Sequence, residues 1–391
     1  MRRLVSPLDG FRSPFGGRFG FSPASLFAAG GLGALYDPSD FSTMWQDAAG
    51  TTPATAATDP AGLILDKRLG LQIGAELVTN NTFGADTDWT KGTGWSIGSG
   101  VATKVAGTAS LLSQAEALTA GVTYRLVYTI TRSAGSITPQ ITGGSTVSGT
   151  ARSNSGTYVD ILTAVSGNTT LAFSAGAGFA GTVDDVYLKR VSGNDAWQLT
   201  PGARPLLQQD AGGRWYLAVD GIDDILSSVT QTQIAGPWEF WAGVDITTGG
   251  GIQTSLFSLS PPTGVSTSAE TEGLFQRSDG AIRRAIGASR ISAETGYNAN
   301  LDDAFTVGSR FVARVRAETG PDQVSVTTPA GTATIAAAYT GTPSGGVARY
   351  NIGAGAGSAV WRFYGGLAID RLLTAGEATQ LDNGFKGKRG L

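Results

Sequence analysis

Only one stretch of this 391-residue chain carries the pattern of an α-helix, and it lies near the carboxyl end. Thr374 and Glu377 form the Thr-x-x-Glu pattern of a capping box, in which two side chains bond the first backbone N–H groups of a helix. Apolar side chains follow at helical spacing, at Ala378, Leu381 and Phe385. With a single short helix, the chain must build its cores from strands.

The remaining sequence consists of short β-branched and aromatic runs that are separated by turn residues. Residues Thr123 to Ile130 alternate with period two, as a half-buried strand does. Trp215 to Asp220 and the run ending at Leu226 flank an Asp-Gly turn. The 57 glycines supply many such turns, and the apolar content of 41% is enough for sizeable cores. The pattern predicts an all-β protein with more than one domain.

Two features near the carboxyl half carry a family resemblance. One is the turn Asp220-Gly-Ile-Asp-Asp224, and the other is the strand Leu367 to Leu373 that runs into Thr374-x-x-Glu377. Together they resemble the concanavalin A-like, laminin-G-like sandwich domains of phage and bacterial surface proteins. The resemblance implies a β-sandwich over residues 205–391. It also implies a scaffold that more often binds than catalyses.

A second resemblance covers residues 75–192. Leu77 to Phe83 and Asp88 to Trp95 are similar to the opening strands of galactose-binding-like jelly rolls of carbohydrate modules, and Gly181 to Lys189 is similar to their last strand. The fold class is therefore expected to be all-β. Two β-sandwich (jelly-roll) domains follow an extended N-terminal attachment arm, and one short helix ends the chain.

Residues 1–35 are expected to form that arm. Proline and glycine interrupt both helix and strand there, and aromatic and basic side chains alternate at Phe11, Arg12, Phe15, Arg18, Phe19 and Phe21. We expect this arm to insert into a partner protein, which is another virion protein if the chain belongs to a phage particle, with the phenylalanines as anchors. The alternative is a tail that folds back on its own domain. Stacking on nucleic acid is disfavoured, because no basic patch supports it.

Residues 36–74 are predicted to be a linker or collar, and residues 193–204 a second linker. The first segment holds Met44, Trp45, Leu63 and Leu65 but is too short for a core of its own. Burial against other chains is the expected solution, so the sequence predicts a homo-oligomer, trimer first, held by residues 1–75.

The chain contains no cysteine and no histidine. Disulfides, Ser-His-Asp systems and Cys-His systems are therefore excluded. Paired carboxylates remain for catalysis, but adjacent ones such as Asp223 and Asp224 would point to opposite faces of a strand. A two-carboxylate glycosidase needs its groups to face each other. The sequence therefore favours a protein that is not an enzyme, and a polysaccharide depolymerase is kept as a distant alternative.

A metal, if bound, would have to be an oxygen-liganded cation such as calcium. Jelly rolls of the resembled kind often hold a structural cation between their first and last strands, and Glu76 and Asp185 lie at matching places. This resemblance implies a calcium site, whereas the alternative is that both carboxylates serve strand ends and turns. No other cofactor is expected.

Aromatic side chains in loop-like contexts are candidates for stacking on sugar rings. Trp95, Tyr297 and Trp89 are the glycan-binding candidates. Trp238 and Trp361 lie in apolar strands and are expected in the core.

These observations predict a virion structural protein of fibre or spike type that displays lectin-like domains to a host-surface glycan. The net charge of −3 does not favour nucleic acid. No apolar run has the length of a membrane span, and Met1-Arg-Arg lacks an apolar stretch after it. Export inside an assembled particle, on tail or capsid, is the expected route. The main alternative is a purely structural decoration, collar or tail protein.

Overall fold

The computed structural model describes most of the chain. The described residues are 21–27, 32–69, 74–191, 193–228, 231–232, 237–248, 254–260, 272–279, 282–291, 296–301, 308, 310–317, 324–335, 347–353 and 360–389. They form two compact units, one of residues 72–192 and one that combines residues 1–71 with residues 193–391. Below, these are called the smaller and the larger sandwich.

The described residues contain 28 strands and one α-helix. The first three strands belong to the larger sandwich: β1 (Gly33–Tyr36), β2 (Met44–Trp45) and β3 (Leu63–Ile64). The smaller sandwich contains β4 (Thr90–Lys91), β5 (Trp95–Gly98), β6 (Val101–Lys104), β7 (Ser110–Ala115), β8 (Thr123–Ala134), β9 (Ile137–Thr142), β10 (Val147–Ser148), β11 (Gly156–Thr163), β12 (Thr170–Ala175) and β13 (Ala180–Val191).

The other elements complete the larger sandwich. They are β14 (Ala196–Trp197), β15 (Leu206–Gln209), β16 (Trp215–Val219), β17 (Ile225–Ser228), β18 (Gln231–Thr232), β19 (Trp238–Thr248), β20 (Thr254–Ser260), β21 (Glu272–Asp279), β22 (Ile282–Ile291), β23 (Gly296–Leu301), β24 (Arg310–Ala317), β25 (Val324–Thr328), β26 (Gly331–Ile335), β27 (Val347–Gly353), β28 (Val360–Ile369) and α1 (Ala375–Arg389). Short 3-10 helices cover Pro23–Leu26, Phe41–Thr43, Lys67–Leu69 and Pro201–Ala203.

Both units are antiparallel sandwiches, so the predicted all-β fold class is confirmed. The smaller sandwich pairs a sheet of order β10-β9-β12-β7-β4 with one of order β11-β8-β13-β6-β5. The larger one has an eight-stranded sheet, β15-β16-β28-β19-β24-β25-β26 with β1 beside β28. Its second sheet has ten strands, β2-β3-β14-β17-β27-β20-β21-β22-β23 with β18 beside β27. Trp238 and Trp361 lie in the core between them, as predicted.

The C-terminal helix has the predicted capping box. The backbone N–H of Thr374 donates to Glu377 Oε2 (2.8 Å), and the N–H of Glu377 donates to Thr374 Oγ1 (3.3 Å). Ala378, Leu381 and Phe385 are buried against one half of the outer face of the eight-stranded sheet. Within the described residues, no helix has the length and apolar character needed to cross a bilayer.

Residues 32–69 are a structural part of the larger sandwich, which corrects their assignment as a linker or collar. Strand β1 pairs with β28, with Tyr36 opposite Gly366, and β3 pairs with β14. Met44 and Ile64 are fully buried in the main core, while the Phe41 ring packs on Trp215 at 4.7 Å. The assigned linker 193–204 likewise contains β14. The few apolar side chains of both segments complete a core that the rest of the chain supplies.

The end of the predicted arm also packs on its own chain. Phe21, Ala24, Leu26 and Phe27 contact the cluster under helix α1, and Arg371 Nη2 donates to the Leu26 carbonyl (2.8 Å). The packing of Phe21 therefore agrees with the alternative prediction, in which the tail folds back on its own domain. Phe11, Arg12, Phe15, Arg18 and Phe19 lie outside the described residues.

This packing removes the reason for expecting a trimer. The prediction assumed that residues 36–74 lack a partner within their own chain, yet β28 and β14 supply it. An oligomer is therefore no longer required to bury this segment.

Candidate glycan-binding groove and other sites

A groove with a volume of about 530 Å³ lies on the outer face of the eight-stranded sheet. It occupies the half of that face that helix α1 leaves uncovered. Four neighbouring strands supply outward-pointing side chains: Leu206 and Gln208 from β15, Tyr216 and Ala218 from β16, Val360 and Arg362 from β28, and Thr247 from β19. The register places Leu206 opposite Ala218 and Ala218 opposite Arg362. Alternation along each strand therefore builds one continuous surface.

A network of rings and charges forms one wall of the groove. The Arg362 guanidinium lies 5.0 Å from the centre of the Tyr216 ring, whose other contact is the Tyr364 ring at 5.3 Å. Arg362 Nη1 donates to Asp245 Oδ2 at 3.2 Å. Burial raises the pKa of the Asp245 carboxyl, although the neighbouring Arg362 opposes this shift. These contacts fix the positions of the Arg362 and Tyr216 side chains in the groove wall.

Apolar side chains around the groove are more exposed than expected for residues of their size. Leu206 is 39% exposed and Val360 38%, and both line the groove. Such side chains occur singly on any surface, but two in one concave site are typical of ligand sites. The groove therefore joins an apolar floor to a polar wall.

The turn Asp220–Asp224 closes one end of the groove. Asp220, Asp223 and Asp224 are the one set of three acidic residues in the described part of the chain whose carboxylate oxygens converge, within 4.8 Å. This corrects the prediction that Asp223 and Asp224 point apart, which assumed a strand where the chain makes a turn. Burial and the two neighbouring carboxylates raise the pKa of Asp224 to about 6.

Hydrogen bonds within the turn explain this acidic cluster. Asp224 Oδ2 accepts from the Asp220 N–H (2.9 Å), and Asp220 Oδ1 accepts from the Ile222 N–H (2.8 Å). These are the usual turn-forming bonds of aspartate. We assign the cluster no metal and no catalytic role.

Two of the three predicted stacking residues are core residues, which corrects their assignment. Trp89 is 6% exposed and packs against Phe83 and Phe173, whereas Trp95 is 7% exposed and packs near Phe179. Neither indole offers an open face to a sugar. The glycine and threonine residues near both tryptophans predict loops. In the structure, however, both indole rings lie in the core of the smaller sandwich.

The third stacking candidate, Tyr297, lies in a strand and not in the predicted loop. Strand β23 holds it opposite Arg290 of β22. The structure describes the backbone of Tyr297 but not its side chain. Its role in binding stays a prediction.

The predicted calcium ligands, Glu76 and Asp185, differ in their surroundings. Glu76 Oε1 accepts from the N–H groups of Leu188 (2.7 Å) and Val78 (3.0 Å), while its Oε2 is buried without a hydrogen-bond partner. Asp185 is exposed and lies at an irregularity of β13, with φ of 49°. Glu76 therefore retains an unused buried oxygen, whereas Asp185 is placed in solvent.

A second glutamate, missed by the sequence analysis, lies near Glu76. Glu116 Oε1 is also buried without a hydrogen-bond partner. Burial, followed by the charge of Glu76, raises the pKa of Glu116 to about 7. Two orphaned carboxylate oxygens of like charge suit a hard divalent cation. Glu116 follows strand β7, far from Glu76 in sequence, so no local signal could reveal the pair.

The groove itself was also missed. Its side chains come from four strands spread between residues 201 and 362, and none forms a short motif. The Asp220–Asp224 turn carries a family resemblance but no signal for a groove. The alternation of Tyr216, Ala218 and Asp220 was the one usable signal, because it predicts a shared outer face.

Comparisons with known proteins concern the fold alone. No protein-family model and no curated protein matches the chain. A solved structure described as a receptor binding domain is 9% identical, with a TM-score of 0.35, and the match covers 48% of each chain. Trypanosoma rangeli sialidase is 8% identical, with a TM-score of 0.32 over 76% of this chain and 62% of the sialidase.

A third similar structure is the tandem CBM22 domain from a Paenibacillus barcinonensis protein. It is 11% identical, with a TM-score of 0.27 over 80% of this chain and 99% of that one. The chain spans about half the length of the receptor binding domain that it matches. At these low identities and TM-scores, no residue role transfers from any of these proteins.

The comparisons correct one prediction. The sequence analysis expects a protein that is not an enzyme, but sialidases, which are enzymes, recur among the similar solved structures. The exclusion of enzymatic activity is therefore withdrawn. No catalytic residue is assigned in its place.

Proposed function

We propose that this chain is a structural protein of a phage virion that binds a host-surface glycan through the larger sandwich. The observation that carries the binding part is the groove on the eight-stranded sheet, in which apolar and polar side chains converge on one concave surface. Sites of this size and mixed lining are typical of small-molecule and saccharide ligands. The virion part rests on the sequence resemblances and on the arm.

A glycan array tests the binding proposal. The purified full-length chain should bind a restricted set of oligosaccharides at micromolar concentration. A chain that binds no glycan yet is incorporated into particles would instead favour the decoration or collar role. Incubation of each bound oligosaccharide with the protein, followed by a reducing-sugar assay, separates binding from hydrolysis. Release of reducing ends would favour the depolymerase alternative.

The arm leads to a prediction about particle assembly. Residues 21–27 pack on the larger sandwich, so a deletion that leaves both sandwiches intact must stop before them. Deletion of residues 2–20 should change the melting temperature by no more than about 2 °C. In a large domain, a change of that size corresponds to about 1 kcal/mol or less of unfolding free energy. The truncated chain should be absent from purified particles. Incorporation at the level of the full chain would contradict the attachment role.

We also propose that the smaller sandwich holds a calcium ion at Glu76, with Glu116 rather than Asp185 as the second carboxylate. The two buried oxygens without hydrogen-bond partners support this pairing. A bound cation would offset both the desolvation and the mutual repulsion of the two groups.

Chelation of the full-length chain tests the calcium proposal. A ligand at a hundredfold excess over its Kd stabilises the folded state by about 2.7 kcal/mol. Calcium should therefore raise the melting temperature of the chelated protein. The variant Glu116→Gln should lose most of that response, whereas Asp185→Asn should keep it. Identical melting curves with EDTA and with calcium would rule the site out.

A further inference from the structure

We infer that the groove on the eight-stranded sheet takes a neutral saccharide, a ligand rich in hydroxyl groups and without net charge. This inference rests on the proposed glycan binding and names both its place and its ligand class. It rests on three properties of the groove: its position on a sheet face, its amphipathic lining and its charge balance.

The position disfavours an extended peptide. Peptides that add a strand to a sheet need an open edge with unpaired backbone groups. The groove lies across the face of strands β15, β16, β28 and β19, whose backbones already pair with one another. The edge strand β15 is itself covered, because the Leu207 N–H donates to the Asp59 carbonyl (2.8 Å) and the Thr58 N–H donates to the Leu207 carbonyl (2.7 Å). Recognition must therefore use side chains.

The lining matches the two kinds of surface on a sugar ring. Ala218, a small residue between Leu206 and Arg362, leaves an open floor where the C–H face of a ring can pack beside Leu206 and Val360. The Gln208 side chain lines the groove and makes no hydrogen bond to another described residue, so its amide can both donate and accept. Thr247 Oγ1 donates to the Val360 carbonyl (2.9 Å) and keeps its acceptor capacity for a sugar hydroxyl.

The charges favour a neutral ligand over an acidic one. The two guanidiniums of the groove are already engaged: Arg362 by Asp245, and Arg204 by the carbonyls of Gln46, Gln198 and Leu199 at 3.0–3.1 Å. The turn at the other end presents the carboxylates of Asp220 and Asp224. An anionic saccharide would be repelled by these carboxylates. The Arg204 charge is not neutralised by its carbonyl partners, but each of its three nitrogens already donates a hydrogen bond, so it is poorly placed to bind an anion.

The test uses the full-length chain on an array that carries neutral hexose and hexosamine oligosaccharides together with sialylated, uronate-containing and sulfated ones. Neutral saccharides should bind, and the variant Ala218→Trp, which fills the floor, should lower the affinity at least tenfold. The matched control Gln380→Trp places the same side chain on the exposed surface of α1, away from the groove, and should bind as the wild type does. Gln208→Ala, a surface change, should lower affinity about fivefold with an unchanged melting temperature.

Each outcome separates this inference from the proposed function. Wild-type affinity in both Ala218→Trp and Gln208→Ala would overturn the groove as the site, while glycan binding by the chain would stand. Binding restricted to acidic saccharides would overturn the ligand class alone. Absence of binding to every saccharide would overturn both proposals.

Discussion

Replacing Glu239 with glutamine should lower the free energy of unfolding by about 2–3 kcal/mol, because a buried carboxylate that accepts several hydrogen bonds loses its charge while its partner Arg314 is only partly exposed. Glu239 is fully buried, and Arg314 donates to both of its oxygens, at 2.8 and 3.1 Å. The Trp241 indole N–H and the Leu373 backbone N–H donate to the same carboxylate, at 2.8 and 2.9 Å. The variant therefore leaves the charge of Arg314 without its counter-ion and weakens the attachment of helix α1.

Urea unfolding of the full-length chain measures this effect. The control is Asp382→Asn, which removes a surface pair with Lys386 on α1 and should change stability by less than about 1 kcal/mol. Equal and small effects of the two substitutions would contradict the role given to Glu239. Backbone amides of α1 should lose hydrogen-exchange protection in Glu239→Gln but not in Asp382→Asn. This result would show that the destabilisation includes weaker attachment of the helix.

The substitution Asp66→Ala should destabilise the larger sandwich by at least about 3 kcal/mol. The buried Asp66 carboxylate accepts from three backbone N–H groups, those of Leu35 (2.9 Å), Arg68 (2.9 Å) and Asn194 (2.8 Å). Each buried donor left without an acceptor costs about 1–3 kcal/mol. The same carboxylate thereby joins the N-terminal strand β1 to the chain around residue 194, so its loss should loosen both.

Asp59→Ala is the matched control for Asp66→Ala. Asp59 accepts from the backbone N–H groups of Thr55 and Ala56, both at 2.8 Å, but it is partly exposed, so water can replace it. We expect a change of about 1 kcal/mol or less. If Asp66→Ala unfolds at the same urea concentration as the wild type, residues 32–69 are not part of the sandwich core.

The fold could be predicted from the sequence wherever the signal was local. The capping box of Thr374 and Glu377 depends on residues three apart, and the strand over Thr123 to Ile130 depends on neighbours along the chain. That strand is present, but Tyr124 to Tyr128 are all buried, so it is not half-buried as the alternation predicted. Such patterns report backbone geometry directly. They therefore predicted the helix and the all-β fold class correctly.

The sequence could not show which distant segments complete each other. Residues 36–74 looked too poor in apolar side chains for a core, because the strand that receives β1 lies at the opposite end of the chain. Polar and glycine neighbours predict that Trp89 and Trp95 are exposed. Whether an indole ring is buried depends instead on which distant strands pack against it, and the local sequence does not show this. The groove joins strands that are far apart in sequence, so only the sheet order reveals it.

The most direct test of glycan binding in the groove is a crystal structure of the full-length chain with the saccharide that binds most tightly on the array. The sugar should lie on the outer face of the eight-stranded sheet, with its ring over Ala218 and its hydroxyls within hydrogen-bond distance of Gln208 or Thr247. A saccharide bound only to the smaller sandwich, or only beside helix α1 near Trp241, would contradict binding in the groove.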